Sequence, residues 1–152
     1  MFLTVHSTAG IALGSLTGNP ILAFIMGLIS HSIMDIIPHG DEILGKWAKG
    51  DKLVKVYTFI FITEFSIALL YVSLLFGDQI LANPLPLLAG MTGAVLPDFI
   101  SGFVIAFPNK FLNWIEKIHR ANHALLNNPI PWQYGMSLQL LTLFLLIYQI
   151  LN

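Results

Sequence analysis

The sequence predicts an all-α fold: a helical integral membrane bundle of about four spanning or half-spanning helices plus one interfacial amphipathic helix. Three observations predict it. Of the 152 residues, 56% are hydrophobic and only 10% charged, with a mean hydropathy of +0.78, whereas soluble domains carry roughly 25% charge. The few Lys, Arg, Asp and Glu residues are too sparse for a polar skin facing water. Several apolar runs reach the roughly 20 residues a helix needs to cross hydrocarbon. One later stretch instead mixes charges with apolar residues at helical spacing. The whole chain, 1–152, is expected to form a single membrane-embedded domain.

The first arm, "TVHSTAGIALGSL", Thr4 to Leu16, reads as a short apolar helix, tucked against its neighbour if it is too short to span. "TGNP" is a turn whose proline is placed to open the next helix. "PILAFIMGLISHSIMDII", Pro20 to Ile37, is long enough to cross. Gly40 to Lys52 follows as a polar loop. "VYTFIFITEFSIALLYVSLLF", Val56 to Phe76, is the cleanest span, bounded by Lys52 and Lys55 on one side and Gly77-Asp78 on the other. Asp78 to Pro84 is expected to turn. Pro86 to Phe107 is a further span, expected to end one helix at Pro97-Asp98 because proline removes a helical hydrogen bond. Asn109 to Asn128 carries Phe111, Trp114, Ile115, Ile118 and Leu125 opposite Lys117 and Arg120, the pattern of an interfacial helix. A surface helix packed on the bundle accounts for it equally well, except for its histidines. Ser137 to Leu151 reaches spanning length if it begins near Trp132.

Tracking sides through these crossings puts all seven basic residues, Lys46, Lys49, Lys52, Lys55, Lys110, Lys117 and Arg120, on one face. The positive-inside rule makes that face cytoplasmic, and the expected location is the inner membrane. With no Lys or Arg before Lys46, the N-terminus lacks the basic flank of a secretory signal, and Met1 reads as the mature start. A net charge of -1 gives no basis for nucleic-acid binding. The absence of cysteine excludes disulfides, thiolate metal sites and a thiol nucleophile.

The same crossings gather all five histidines on the basic face. His31 and Asp35 stand four apart on one helix, as do His119 and His123, the spacing at which two side chains share a helix face. His6 opens the first arm, His39 follows Pro38 with Asp41 close behind, and Asp98 lies after Pro97. In so apolar a chain, ionisable groups beside spanning segments are costly and mark function. His6, His31, Asp35, His39, Asp98, His119 and His123 are therefore the expected metal ligands. Nitrogen and carboxylate donors without sulfur suit a divalent ion, zinc first, and so many groups suit one to three ions. Clustered ions support phosphoester hydrolysis, with Arg120 and Asp41 as the expected catalytic groups. Arg120 either grips a phosphate or snorkels as an interfacial anchor. Membrane lipid is the expected partner, and a lipid or other phosphoester the expected substrate. Glu64, in mid-span, is expected to make a structural bond about 10 Å or more below the histidine face. The alternative is a non-enzymatic metal-binding membrane protein or a metal transporter, but beyond Glu64 the far half offers little polar path except Asp78.

The early histidine, the apolar hairpin ending in HxxxD, the later "LPD" and the "HR" followed by histidine together resemble the small prokaryotic membrane-bound metal-dependent hydrolases. This is the LexA-binding, inner-membrane-associated hydrolase family, which is distantly similar to zinc-dependent phospholipase C and the P1-type nucleases. The resemblance covers most of the chain and implies an all-helical metal-dependent hydrolase. By position, His6 matches the family's N-terminal ligand, His31 and Asp35 its HxxxD pair, Asp98 its Pro-Asp acid, and "HRANHALL" its HR, two residues, His-Ser segment. The chain departs from the pattern at Phe99 and Ile100, where the family often has a second acid or histidine. Asn122 and Ala124 stand where Thr and Ser are common.

Overall fold

A computed structural model of the chain describes residues 1–40, 51–107, 109–126 and 130–151, with only the backbone described for Asp51, Ile105 and Ala106. Among the described residues it is all-helical, with six helices and no strand: α1 Leu3–Thr17, α2 Pro20–Ile36, α3 Asp51–Ala82, α4 Pro84–Ala106, α5 Lys110–Ala124 and α6 Trp132–Leu151. Three stretches, Lys52–Ala82, Pro84–Val104 and Trp132–Leu151, are long and apolar enough to cross a membrane. At 17 residues α2 falls short of that group, a correction to its expected full crossing.

α1 occupies the middle of the bundle, with α2, α3, α4 and α6 packed around it. It buries Leu3, Val5, Ala9, Ile11 and Ala12, and with them His6, Ser7 and Thr8. Buried hydroxyls need partners, and Thr8 finds two, the Thr4 carbonyl at 2.7 Å and the Tyr71 hydroxyl at 3.0 Å. The α1–α2 corner follows its sequence signals. Gly18 takes the left-handed conformation at φ 59°, and the Asn19 side chain accepts from the Ile21 and Leu22 amides ahead of Pro20.

Small residues set how closely the helices cross. A Cβ on Gly10 would fall on the Gly90 carbonyl, one on Gly27 on that same carbonyl, and one on Gly14 on the Pro86 carbonyl. α1 and α2 thus both meet α4 backbone to backbone, the small-residue packing typical of helices in lipid. Farther along, Ile11, Val72, Phe76 and Leu87 form an apolar core. The outer surface is also apolar: Ile21, Ile29, Ile33, Leu70, Leu74, Leu141, Phe144 and Tyr148 are all exposed. An apolar exterior of that extent fits hydrocarbon rather than water.

Two expected helix ends are corrected. Gly77-Asp78 does not stop the third helix, because the apolar run resumes and Phe76 and Ile80 pack into the core. The break comes instead at Asn83, whose φ of -144° and ψ of 70° lie outside the helix. The following Pro84 disfavours the α conformation for Asn83. Pro97 does not end α4 either, since the helix continues to Ala106. Proline is tolerated inside such helices; it leaves the Gly93 carbonyl without its helical donor, and one residue on, the Ala94 carbonyl accepts a hydrogen bond from His31.

α5 exposes apolar residues beside its basic ones, Lys110, Lys117 and Arg120. It buries Glu116 and His119 while Phe111 (70% exposed), Trp114, Ile118 and Leu125, just past its end, face outward. A helix packed on a soluble surface would do the reverse, so the interfacial expectation holds for its apolar face. The helix ends at Ala124, and Asn127 and Asn128 lie outside the described residues, as do Lys46, Lys49 and most of the expected polar loop.

Candidate metal centre

The site is built around one carboxylate. Asp35 sits in the last turn of α2, fully buried, four residues after His31. Its Oδ2 lies 2.9 Å from His31 Nε2, 3.2 Å from His119 Nε2 and 3.2 Å from His123 Nε2. Its Oδ1 lies 3.1 Å from His6 Nε2 and 2.7 Å from the Met1 ammonium. Helices α1, α2 and α5 thus each deliver histidine to a single acid. From α4, Asp98 Oδ1 stands 3.5 Å from His119 Nε2 and 3.9 Å from His31 Nε2.

Hydrogen bonds on the far side of two rings orient their Nε2 atoms. The Nδ1–H of His31 donates to the Ala94 carbonyl at 2.7 Å, and that of His39 to the Ile37 carbonyl at 2.7 Å. Because a carbonyl only accepts, each Nδ1 carries the proton, and in the neutral ring Nε2 offers a lone pair. For His31 that lone pair faces a carboxylate oxygen, and two acceptors so close need a proton or a cation between them. Buried His31 Nε2, Asp98 Oδ2 and His123 Nδ1 also have no hydrogen-bond partner, unusual for buried polar atoms. Nor can one carboxylate oxygen accept from three imidazoles at once, since it has about two lone pairs. A cation held among the rings resolves the meeting of His31 Nε2 with a carboxylate oxygen and the crowding of three imidazoles on Oδ2, so the residues fit a metal.

The donor atoms fall into two groups, each within 4.8 Å internally: His31, Asp35, Asp98 and His119, and Asp35, His39 and His123. Asp35 belongs to both. These buried His/Asp groups can hold a metal ion. Six of the seven expected ligands lie in them. His6 comes to the cluster, stacked on His31 at a centroid distance of 4.2 Å and touching Asp35, but it belongs to neither group. Asp41 lies outside the described residues.

Sequence reasoning missed the polar frame behind the ligands. Glu116 is buried and receives the Ser101 hydroxyl, which in turn receives Nδ1–H of His119. Its other oxygen holds Arg120 Nε at 3.2 Å. A carboxylate behind a ligating histidine fixes the ring and raises its basicity. The signal was available, since Glu116 precedes His119 by three residues and Arg120 by four, both same-face spacings. Burial alone would lower the His119 pKa, but hydrogen bonds to Asp35 and Glu116 and the charge of Asp98 outweigh it and push the ring up to about 9. Burial alone would raise Glu116, but its bonds to His119 and Ser101 and the Arg120 charge hold it below the usual carboxylate range.

Gln139 was also missed. Its side chain accepts from the Phe2 amide at 2.8 Å and donates to the His39 carbonyl at 3.0 Å, tying the start of α1 to the His39 segment. Glu64 makes the expected structural bond, accepting from the Leu3 amide at 3.4 Å, one of the free donors at a helix start. It also lines the same cavity as His119, His123 and Arg120. The reason is that α1 starts beside α3, three residues from His6.

Comparison with protein-family models, curated proteins and solved structures gives no match for this chain.

Proposed function

We propose that the protein is a membrane-bound, metal-dependent hydrolase acting on a phosphoester, with its site at the cytoplasmic face of the inner membrane. The observation that carries this reading is the sharing of Asp35 between two adjacent ligand groups. A carboxylate in that position suits a pair of ions, and the sulfur-free donor set suits zinc. Bound there, such ions supply Lewis acidity and share the charge of a phosphoryl group. The motif likeness to the inner-membrane hydrolases points to the same chemistry.

The chain's own residues would divide the work. His31, Asp98 and His119 would hold one ion, His39 and His123 the other, with Asp35 between them. Arg120, exposed and anchored through Nε by Glu116, keeps the rest of its guanidinium fork to hold a phosphate. The seven basic residues, gathered on one side by the crossing order, support the cytoplasmic assignment.

The test is hydrolysis of p-nitrophenyl phosphate and bis-p-nitrophenyl phosphate by protein purified in mild detergent, stripped of metal and reloaded with zinc or manganese. Turnover is expected to require metal and to be lost in His31→Ala and His123→Ala. Metal binding without turnover of any phosphoester would contradict the enzyme reading and favour a binder or transporter.

A further inference from the structure

A cavity of about 750 Å³ leads away from the metal centre, within the size range of small-molecule sites. Its lining is mixed. Asp98, Glu116, His119, Arg120 and His123 line it together with Phe61 from α3 and Phe99 and Phe103 from α4. The aromatic part of the wall is packed, with Phe99 meeting Phe61 and Phe65 edge-on at 4.9 Å and 5.2 Å. Ile62 of α3 and Phe103 of α4 line the cavity and are exposed, so accessible apolar side chains of two helices long and apolar enough to span form part of its wall.

A small polar substrate would leave the aromatic part of that lining unused. An occupant matched to both kinds of lining carries an aliphatic chain and an anionic head. We propose that this cavity takes the hydrocarbon chain of a lipid phosphoester drawn laterally from the bilayer, with its phosphate at Arg120 and the histidine cluster. The assignment deepens the hydrolase reading and rests on it for the position of the head group. The chain passes from one apolar surrounding to another without meeting water, which favours long-chain substrates over soluble ones.

Gly102 gives a direct handle. It lines the cavity, and the nearest atoms a Cβ there would meet belong to the Phe61 ring, at ordinary contact distance from 3.4 Å. Gly102→Ala is therefore tolerated, whereas Gly102→Leu places a branched side chain in the chain's path.

The experiment uses full-length, metal-loaded protein in lipid nanodiscs with two readouts. One is the ratio of turnover on dodecyl p-nitrophenyl phosphate to that on the methyl analogue. The other is binding of dodecylphosphonate, which is not hydrolysed, against methylphosphonate. The wild type and Gly102→Ala are expected to prefer the dodecyl compounds at least tenfold in both, and Gly102→Leu to lose that preference while binding metal as the wild type does. Equal handling of both chain lengths by the wild type, or an unchanged preference in Gly102→Leu with metal retained, overturns the chain assignment and leaves the hydrolase reading standing. Preference in binding that depends on Gly102, with no turnover of either ester, would keep the cavity and overturn the hydrolase.

Discussion

At the scale of single residues, the centre depends as much on the groups behind the ligands as on the ligands. Glu116 fixes the His119 ring through Ser101 and holds Arg120 at the same time. Glu116→Gln keeps the shape and removes the charge. It is expected to weaken metal affinity about 10- to 100-fold, measured by competition with a chromophoric chelator, while the helical content stays unchanged. Unaltered affinity would show that the Glu116 contact is incidental. The clustered histidines and aspartates were legible in the sequence because such a residue stands out in so apolar a chain. Glu116 and Gln139 were not. Each looks like an ordinary polar residue of its helix until the partner helix is in place, and a contact between Gln139 and the His39 carbonyl spans a hundred positions of chain.

At the scale of elements, backbone contact between helices decides the geometry. A Cβ on Gly90 would fall on the Gly10 carbonyl of α1 and close to the Gly14 amide, so a side chain there must push α1 away and carry His6 with it. Gly90→Leu is expected to cost about 1–3 kcal/mol or more, read as a lowered unfolding temperature in detergent together with lost metal binding. Gly77→Leu is the control, because a Cβ there meets nothing within 4 Å, and it is expected to be near neutral. Equal losses in both variants would contradict the packing account. The spans, the Gly18-Asn19-Pro20 corner and the amphipathic pattern of α5 were legible, since each is a local signal. The continuity of α3 past Gly77 and of α4 through Pro97 was not, because glycine and proline mark breaks only where neighbouring helices fail to compensate. The Gly10-Gly14 spacing was a readable packing signal, and it explains why the short α1 sits inside the bundle instead of spanning beside it.

At the scale of the molecule, the proposed orientation follows from the crossing order. Lys52 and Asp78 stand on α3 about 39 Å apart along its axis, more than the roughly 30 Å hydrocarbon thickness. Since the chain has no cysteine, Lys52→Cys and Asp78→Cys give clean probes. A membrane-impermeant thiol reagent added to intact cells is expected to label only Asp78→Cys, and labelling of Lys52→Cys alone would reverse the assignment. The central claim is that Asp35 is shared by two cations. Its most direct measurement is the number of divalent ions per chain, by elemental analysis of protein reloaded with zinc and desalted, for the wild type beside Asp35→Asn. Two ions in the wild type and a loss of at least one in the folded variant are the predicted result. A wild type that retains no ion, or an Asp35→Asn variant that retains as many as the wild type, would contradict the account.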